Sequence, residues 1–206
     1  MKQIALISGK GGTGKTTITA ALSSLFKETV FSDCDVDAPD LHLLLKPVIK
    51  KVSEFPGGKW AHIDIEKCSH CGLCKEKCKF SAISKVNDKY EVDPFLCEGC
   101  GLCYRICPVN AIEMVQASAG EWYISESRFG EMVHAKLYPG QENSGKLITM
   151  VRHQAKLLAE ESGRKYILID GPPGTGCPVI STITGTDHVI LITEPTVSGI
   201  ADFKRT

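Results

Sequence analysis

Two cysteine runs of identical spacing are the feature that most restricts what this chain can fold into. Each reads C-x2-C-x2-C-x3-C, a spacing by which thiolates hold 4Fe–4S clusters, with the fourth cysteine of each run ligating the cluster of the other run. A segment of this kind has little apolar core and takes much of its folding free energy from the bound clusters. The first run is Cys68, Cys71, Cys74 and Cys78, and the second is Cys97, Cys100, Cys103 and Cys107.

The crossed arrangement predicts which thiolates share a cluster. Zinc is the alternative metal, because C-x2-C pairs also bind it, but eight cysteines in two such runs favour iron and sulfide. Lys79 follows Cys78 where Pro108 follows Cys107, a difference that can change the potential or docking face of the nearer cluster. We interpret His70 as a solvated loop residue, with tuning of its cluster as the alternative. The predicted ligands are Cys68, Cys71, Cys74 and Cys107 for cluster 1, and Cys97, Cys100, Cys103 and Cys78 for cluster 2.

A glycine-rich loop lies between a strand predicted at Ile4–Ser8 and a helix predicted at Lys15–Lys27. Backbone N–H groups in such a loop converge on phosphate oxygens at the helix N-terminus. We expect Lys15 to reach the β- and γ-phosphates of ATP, Thr16 to bind Mg2+ and Thr17 to contact the α-phosphate. A glycine-rich turn without a ligand is the alternative, which a complete motif between strand and helix disfavours. The predicted nucleotide-binding residues are Gly9, Lys10, Gly11, Gly12, Thr13, Gly14, Lys15, Thr16 and Thr17.

Three aspartates lie at the ends of predicted strands. Asp33 is the last residue of the strand predicted at Val30–Asp33, and Asp35 follows it by two residues. Asp170 directly follows the strand predicted at Tyr166–Ile169. An aspartate at a strand end beside a phosphate loop is placed to hold Mg2+ or its bound waters. The alternative for Asp33 and Asp35 is a helix cap or a turn former. We expect Mg2+ to be held by Thr16 and Asp170.

The loop, with its second lysine at Lys10, resembles the deviant phosphate-binding loop of the MinD/ParA, nitrogenase iron protein and Mrp group of SIMIBI ATPases. The acidic stretches at 32–40 and 169–176 match that family's switch segments, so the resemblance covers about residues 1–50 and 130–206. It implies that Lys10 reaches across a dimer to the partner's nucleotide, a solvated loop lysine being the alternative. It also implies that Asp35 orients or activates the attacking water and that Asp33 joins Thr16 and Asp170 at Mg2+. The specificity for ATP rests on this resemblance alone. The implied catalytic residues are Lys10, Lys15, Asp35 and Asp170.

Apolar strands that alternate with helices predict an α/β fold with a mostly parallel sheet covered by helices. The cysteine-rich segment interrupts it, and the whole resembles MinD-superfamily P-loop ATPases with an inserted bacterial-type ferredoxin domain that binds two 4Fe–4S clusters. The last residues fall inside a predicted helix, so we expect the chain to be part of a longer protein. The expected divisions are 1–60 and 117–206 for the ATPase domain and 61–116 for the insert. Further predicted elements are strands at Met132–Leu137 and Val189–Thr193 and a helix at Leu147–Glu161.

Composition excludes several classes of partner. Basic and acidic residues balance at 24 each, which gives no electrostatic case for nucleic acid or for an anionic membrane. No segment has the length of a membrane span or the pattern of a signal peptide. We therefore expect a cytoplasmic protein, where thiols stay reduced and available to metal. Cys34 and Cys177 lie outside the two runs and are interpreted as small apolar residues or as switch cysteines.

These features predict a dimeric ATPase that couples ATP binding and hydrolysis to electron transfer, or to iron–sulfur or metal-cofactor assembly, on a partner protein. Eight cysteines for two clusters leave no open coordination position, which favours electron transfer. A MinD/ParA-like positioning ATPase with redox-sensing clusters is the alternative. The expected partners are a second copy or a close paralogue, and a redox or metal-cofactor protein.

Overall fold

The computed structural model describes residues 1–141 and 144–206. The strands are β1 Lys2–Ser8, β2 Thr29–Asp33, β3 Val48–Ile63, β4 Ile83–Val86, β5 Lys89–Val92, β6 Ile112–Ser127, β7 Gly130–Leu137, β8 Tyr166–Pro173 and β9 His188–Ile192. The helices are α1 Lys15–Ser23, α2 Leu41–Leu45, α3 Leu73–Lys77, α4 Leu102–Ile106, α5 Ser144–Glu161, α6 Cys177–Ile183 and α7 Val197–Arg205.

Seven of the nine described strands form one sheet in the order β3-β6-β7-β2-β8-β1-β9, and β4 and β5 form a separate two-stranded sheet. The centre of the larger sheet is parallel, because β1 pairs with β8 and β9, and β2 pairs with β7 and β8. At one side of this parallel centre, β6 pairs antiparallel with β7 through a short connection at Arg128 and Phe129. Strands joined by so short a turn can only run antiparallel. The predicted mostly parallel sheet is confirmed, with one hairpin that the sequence did not indicate.

The strands at the centre of the sheet are buried on both faces. Every residue of β2 is buried, as are Ile167, Leu168 and Ile169 in β8. Their side chains pack with those of neighbouring strands and of α2 into a core cluster. Near-continuous apolar runs are typical of parallel strands covered on both faces. The buried runs hold the strands in place, and the polar residues at the strand ends are thereby brought together. The cluster comprises Leu6, Phe31, Leu41, Leu45, Met132 and Leu168.

The first helix is shorter than the sequence predicted. It ends at Ser23, four residues before Lys27. Ser24 Oγ donates a hydrogen bond to the carbonyl oxygen of Ala21 at 2.7 Å, and Glu28 adopts a left-handed conformation with φ of 55°. A side chain bonding back to the helix and a residue at positive φ both favour a turn over a further helical residue.

The chain folds into two compact units. One comprises Met1–Phe55 with Gly120–Thr206, and the other comprises Pro56–Ala119. Both β3 and β6 contribute residues to each unit, so the chain passes between the units along two strands. The larger unit carries the phosphate loop, and the smaller unit carries both cysteine runs.

The smaller unit is built from an internal repeat with a period of 29 residues, the separation of Cys68 and Cys97. Each half has a short helix, α3 or α4, that begins after a glycine in the left-handed conformation. The hairpin β4–β5 turns at Asn87 and Asp88, whose φ angles of 48° and 63° suit a tight hairpin turn. The cluster of buried apolar side chains in this unit is small and comprises Ala61, Ile63, Ile83 and Ile112.

Candidate functional site

The predicted phosphate loop connects β1 to α1 and borders a cleft of about 390 Å³. Gly12 and Gly14 have φ angles of 81° and 83°, which glycine adopts at little cost. These conformations turn the loop so that it ends at the N-terminus of α1, the place where phosphate is favoured. The residues that line the cleft are Ser8, Gly11, Gly12, Thr13, Gly14, Lys15, Thr16, Thr17, Asp35, Ala38, Asp40 and Pro173.

A buried ion pair joins the loop to the end of β8. Lys15 Nζ lies 2.8 Å from Asp170 Oδ1, and the two side chains are 6% and 1% exposed. Thr19 Oγ1 lies 2.9 Å from the same carboxylate oxygen. Thr19 is not among the site residues predicted from sequence, although its position four residues after Lys15 places both on one face of the helix.

The second carboxylate oxygen of Asp170 is buried and has no hydrogen-bond partner among the described residues. A buried carboxylate oxygen without a partner is costly, and hydrated Mg2+ would satisfy it. Thr16 lies on the same cleft, and its Oγ1 accepts a hydrogen bond from Lys15 Nζ at 3.3 Å. The residues therefore fit a nucleotide-bound Mg2+, with Thr16 and Asp170 as the groups that would hold it.

Asp33 has a different environment from the one predicted for a metal ligand. It is fully buried, and its two carboxylate oxygens accept hydrogen bonds from the backbone N–H groups of Asp35 and Leu41, each at 3.1 Å. Burial, reinforced by the nearby Asp170 carboxylate, raises the pKa of Asp33 well above its usual value. Asp33 thus organises the segment that leads into α2, and its role toward Mg2+ stays a prediction.

Like Asp40 of the same acidic stretch, Asp35 lines the cleft. Its carboxyl is partly buried, and this desolvation raises its pKa to about 6, an effect that the positive charge of Lys15 opposes. A carboxylate on the phosphate cleft with a pKa near neutrality can accept a hydrogen bond from a water molecule. The arrangement is compatible with the water-orienting role that the resemblance implies.

Lys10 makes an ion pair that the sequence did not indicate. Its Nζ lies 3.0 Å from Glu194 Oε2, and each side chain is 36% exposed. Glu194 follows β9 and was missed because no spacing in the sequence relates it to the phosphate loop. Exposed ion pairs contribute little stability, so the lysine can exchange this contact for another at small cost.

In the smaller unit the two halves exchange backbone hydrogen bonds. The N–H of Asp64, before the first run, donates to the carbonyl oxygen of Ala111, after the second run, at 2.7 Å. The N–H of Asp93, before the second run, donates to the carbonyl oxygen of Ala82, after the first, at 2.8 Å. The segment that ends each run is therefore attached to the start of the other run.

A small apolar cavity lies where the start of the first run meets the end of the second. It is lined by Cys68, Cys71, Cys74 and Cys107, the four thiols assigned to cluster 1. Tyr90 and Pro108 also line it. Four thiols around an apolar cavity fit a 4Fe–4S cluster, which would supply one-electron chemistry there.

The end of the first run repeats the geometry of the end of the second. Cys78 and Cys107 both have φ of −70° and ψ of 114°, and Ser81 and Asn110 have φ angles of 54° and 51°. With the exchanged hydrogen bonds, this repeated backbone geometry fits a second set of Cys97, Cys100, Cys103 and Cys78. The exposed Cys100 lies in an open cleft with Lys59 and Arg105.

The remaining predicted residues have simple surroundings. Cys34 is fully buried, with its Sγ 3.5 Å from Ser32 Oγ, and burial raises its thiol pKa to about 12. It therefore behaves as a small apolar residue. Cys177 is exposed at the start of α6, and His70 is an exposed loop residue with φ of 56°. Within the described part of the chain, no helix combines the length and the apolar character needed to cross a membrane.

Comparison with known proteins gives a family match for the smaller unit and relatives for the chain. Residues 61–114 match the model of the 4Fe-4S dicluster domain. The Methanocaldococcus jannaschii protein MJ0578 is 42% identical over 98% of this chain and 71% of its own length. MJ0579 of the same organism is 30% identical over 100% of this chain and 74% of its own length.

Among solved structures, the septum site-determining protein MinD from Pyrococcus horikoshii, in complex with Mg-ADP, is 19% identical. The match covers 98% of this chain and has a TM-score of 0.45. It covers 61% of the MinD chain, so this chain spans less than two thirds of the length of that protein.

Proposed function

Since the chain belongs to the family of the Methanocaldococcus jannaschii proteins MJ0578 and MJ0579, and itself joins a MinD/ParA-type P-loop ATPase fold to a 4Fe–4S dicluster domain, we propose that it couples ATP binding and hydrolysis to electron transfer on a partner protein. The proposal has a nucleotide part, a redox part and a coupling part. Its cellular setting is the cytoplasm, and its working form is a dimer.

The nucleotide part assigns a task to each residue of the cleft. The N–H groups of the loop bind the phosphates, and Lys15 moves from Asp170 to the β- and γ-phosphates. Thr16 and Asp170 would hold Mg2+, which would neutralise charge on the phosphates. Asp35 orients the attacking water, and its partly buried position on the cleft supports this role. Lys10 completes the nucleotide site of a second protomer, exchanging its contact with Glu194 for that site.

The redox part is carried by the observation that Cys68, Cys71, Cys74 and Cys107 line one apolar cavity. These thiolates would complete the ligand set of one cluster, and the repeat would supply four thiolates to the other. A fully ligated cluster has no open position for a substrate and is suited to carrying electrons. Assembly and delivery of clusters would instead need ligands that release them.

The coupling part follows from the connectivity of the chain. The acidic stretch 32–40, which we assign as the first switch segment, leads through α2 into β3. Helix α2 ends at Leu45, and β3 begins at Val48 and continues into the smaller unit. Switch segments are ordered by the γ-phosphate and Mg2+ and relax after hydrolysis. We therefore expect nucleotide state to change the potential of at least one cluster.

Redox titration of the anaerobically purified protein tests this proposal, with a non-hydrolysable ATP analogue, with ADP and without nucleotide. Tenfold tighter binding of the analogue to one redox form would shift the midpoint potential by about 59 mV for a one-electron couple. Lys15→Ala, which cannot hold the phosphates, is the control and should show no shift. Equal potentials in all three states would contradict the coupling. Loss of iron to a chelator on ATP hydrolysis would favour cluster assembly.

A further inference from the structure

We infer that Thr19 is a positioning residue of the nucleotide site, which orients the Asp170 carboxylate toward the magnesium ion that accompanies the nucleotide. The inference rests on the proposed ATPase function and deepens it. It gives a role to a side chain that lies outside the phosphate-binding motif and that does not line the cleft.

Thr19 is fully buried in α1, one helical turn after Lys15. Its Oγ1 lies 2.9 Å from Asp170 Oδ1 and 3.0 Å from the carbonyl oxygen of Lys15. A hydroxyl has one hydrogen to donate, and a carboxylate is the stronger acceptor because charge-assisted hydrogen bonds are about twice as strong as neutral ones. Thr19 therefore ties the carboxylate at the end of β8 to the helix that begins at the phosphate loop.

The two donors that reach Asp170 leave one of its oxygens free. Lys15 Nζ and Thr19 Oγ1 both contact Oδ1, whereas Oδ2 is buried with no partner among the described residues. A carboxylate held at one oxygen cannot rotate freely, so Oδ2 keeps a fixed direction. When the phosphates of the nucleotide attract Lys15, Thr19 remains as the donor that holds this orientation.

A buried hydroxyl in a helix often has a simpler role. Serine and threonine commonly donate back to the carbonyl oxygen four residues earlier. Ser23 does so in the same helix, since its Oγ donates to the carbonyl oxygen of Thr19 at 2.9 Å, and it is equally buried. Its hydroxyl is thus engaged with the helix backbone and not with Asp170, which makes Ser23 a matched control for the loss of a buried hydroxyl.

The test is calorimetric measurement of ADP affinity with Mg2+ and with EDTA, on the intact protein. We expect Thr19→Val to lower the ADP affinity measured with Mg2+ by about tenfold and to leave the affinity measured with EDTA unchanged. Thr19→Ser keeps the hydroxyl and should restore the Mg2+ effect. In hydrolysis assays, Thr19→Val should raise the Mg2+ concentration for half-maximal rate, with much of kcat recovered at high Mg2+. Ser23→Ala should match the unchanged protein in every measurement.

Three outcomes would overturn the inference. These are an equal loss of affinity with Mg2+ and with EDTA, an equal loss in Ser23→Ala, or no rescue by Thr19→Ser. If circular dichroism shows that Thr19→Val does not fold, Thr19→Ala takes its place. ADP binding by Thr19→Ala with the same Mg2+ dependence as Thr19→Ser would then overturn the inference. Absence of nucleotide binding by the unchanged protein would refute the proposed ATPase function itself, which is a different result.

Discussion

Lys15 Nζ lies 2.8 Å from Asp170 Oδ1 in an ion pair that is almost completely buried. The lysine expected to bind the β- and γ-phosphates is therefore paired with the aspartate expected to face Mg2+. We expect nucleotide binding to separate this pair, so that each partner then needs a new counter-charge. Phosphate would supply one to Lys15 and Mg2+ would supply one to Asp170, so the two ligands are expected to bind cooperatively.

This relationship predicts the effect of Asp170→Asn. Removing the negative charge frees Lys15 for the phosphates, so we expect ADP to bind more tightly than in the unchanged protein when EDTA is present. Hydrolysis with Mg2+ should fall by at least about tenfold, equal to about 1.4 kcal/mol of barrier. Calorimetry and phosphate release measure the two effects. Lys15→Ala is the control and should lose nucleotide binding under both conditions, and weaker ADP binding by Asp170→Asn in EDTA would refute the prediction.

Lys10 is predicted to act on the nucleotide of the other protomer. Lys10→Ala should bind ATP with nearly unchanged affinity but hydrolyse it at least about tenfold more slowly. Mixing Lys10→Ala with Asp35→Asn should restore activity, because one site of the mixed dimer then has both groups. Glu194→Gln removes the observed partner of Lys10 but keeps the lysine, so it should not lower the rate. Mixed dimers that stay inactive would show that Lys10 does not act across the dimer.

The raised pKa of Asp35 predicts how stability depends on pH. Its pKa of about 6 in the folded protein exceeds the value of about 3.9 for an unfolded chain. The folded protein therefore holds a proton that the unfolded chain has released between about pH 4 and pH 6, and this contribution to stability is lost as the pH rises through 6. Thermal unfolding without nucleotide at pH 5 and pH 7 measures it.

Asp35→Asn cannot titrate at this position, so its Tm should fall less between these two pH values than that of the unchanged protein. A difference of about 1 kcal/mol corresponds to roughly 2–4 °C in a protein of this size. Asp37→Asn alters an exposed carboxyl in the same segment and serves as the control. The same pH dependence in all three proteins would show that Asp35 does not titrate in this range.

Metal content tests the ligand sets directly. Protein purified without oxygen should contain about eight irons and eight sulfides per chain, as two clusters. Removal of the metal should unfold the smaller unit, because its apolar core is limited to a few side chains. Iron analysis and circular dichroism before and after chelation measure both effects. Stoichiometric zinc without broad visible absorption would refute the iron–sulfur assignment.

Lys79 is expected to raise the potential of the cluster that Cys78 ligates. Reduction adds negative charge to a cluster, and a neighbouring cation stabilises the reduced form. Lys79→Gln should lower that potential by up to about 59 mV, a tenfold change in the reduction equilibrium. Pro108→Gln at the repeat-related position, which carries no charge in the unchanged protein, is the matched control. EPR-monitored titration would contradict the prediction if both variants shifted the same potential equally.

The elements that surround the phosphate cleft could be predicted from sequence because their apolar runs are continuous. The long strand β3 could not be predicted from sequence, because it contains Pro56, Gly57 and Gly58, a combination that indicates a turn. The strand continues because Gly57 packs closely on Ala119, where a Cβ would lie 2.8 Å from the alanine Cβ. Tertiary packing decides the conformation at this point, and local sequence does not carry that information.

The candidate site shows the same division. The residues of the phosphate loop and the cluster cysteines follow local sequence patterns, so they could be predicted from sequence. Contacts between residues distant in the sequence could not be predicted in this way. Examples are the contacts of Asp170 with Lys15 and Thr19, and the ion pair of Glu194 with Lys10. Asp33 illustrates the difference best, because its carboxylate oxygens accept hydrogen bonds from Asp35 and Leu41.

The exchanged hydrogen bonds of the smaller unit, Asp64 to Ala111 and Asp93 to Ala82, have a consequence for how the clusters are gained and lost. In the proposed ligand sets, each half of the repeat contributes the closing thiolate of the other half's cluster, so neither cluster would have a complete binding site while the other half is unfolded. Insertion of the first cluster would order the segment that the second one requires. Oxidative destruction of either cluster would release a ligand-bearing segment of both. We therefore expect loading to be collective, and a population exposed to oxygen should divide into chains with both clusters and chains with none.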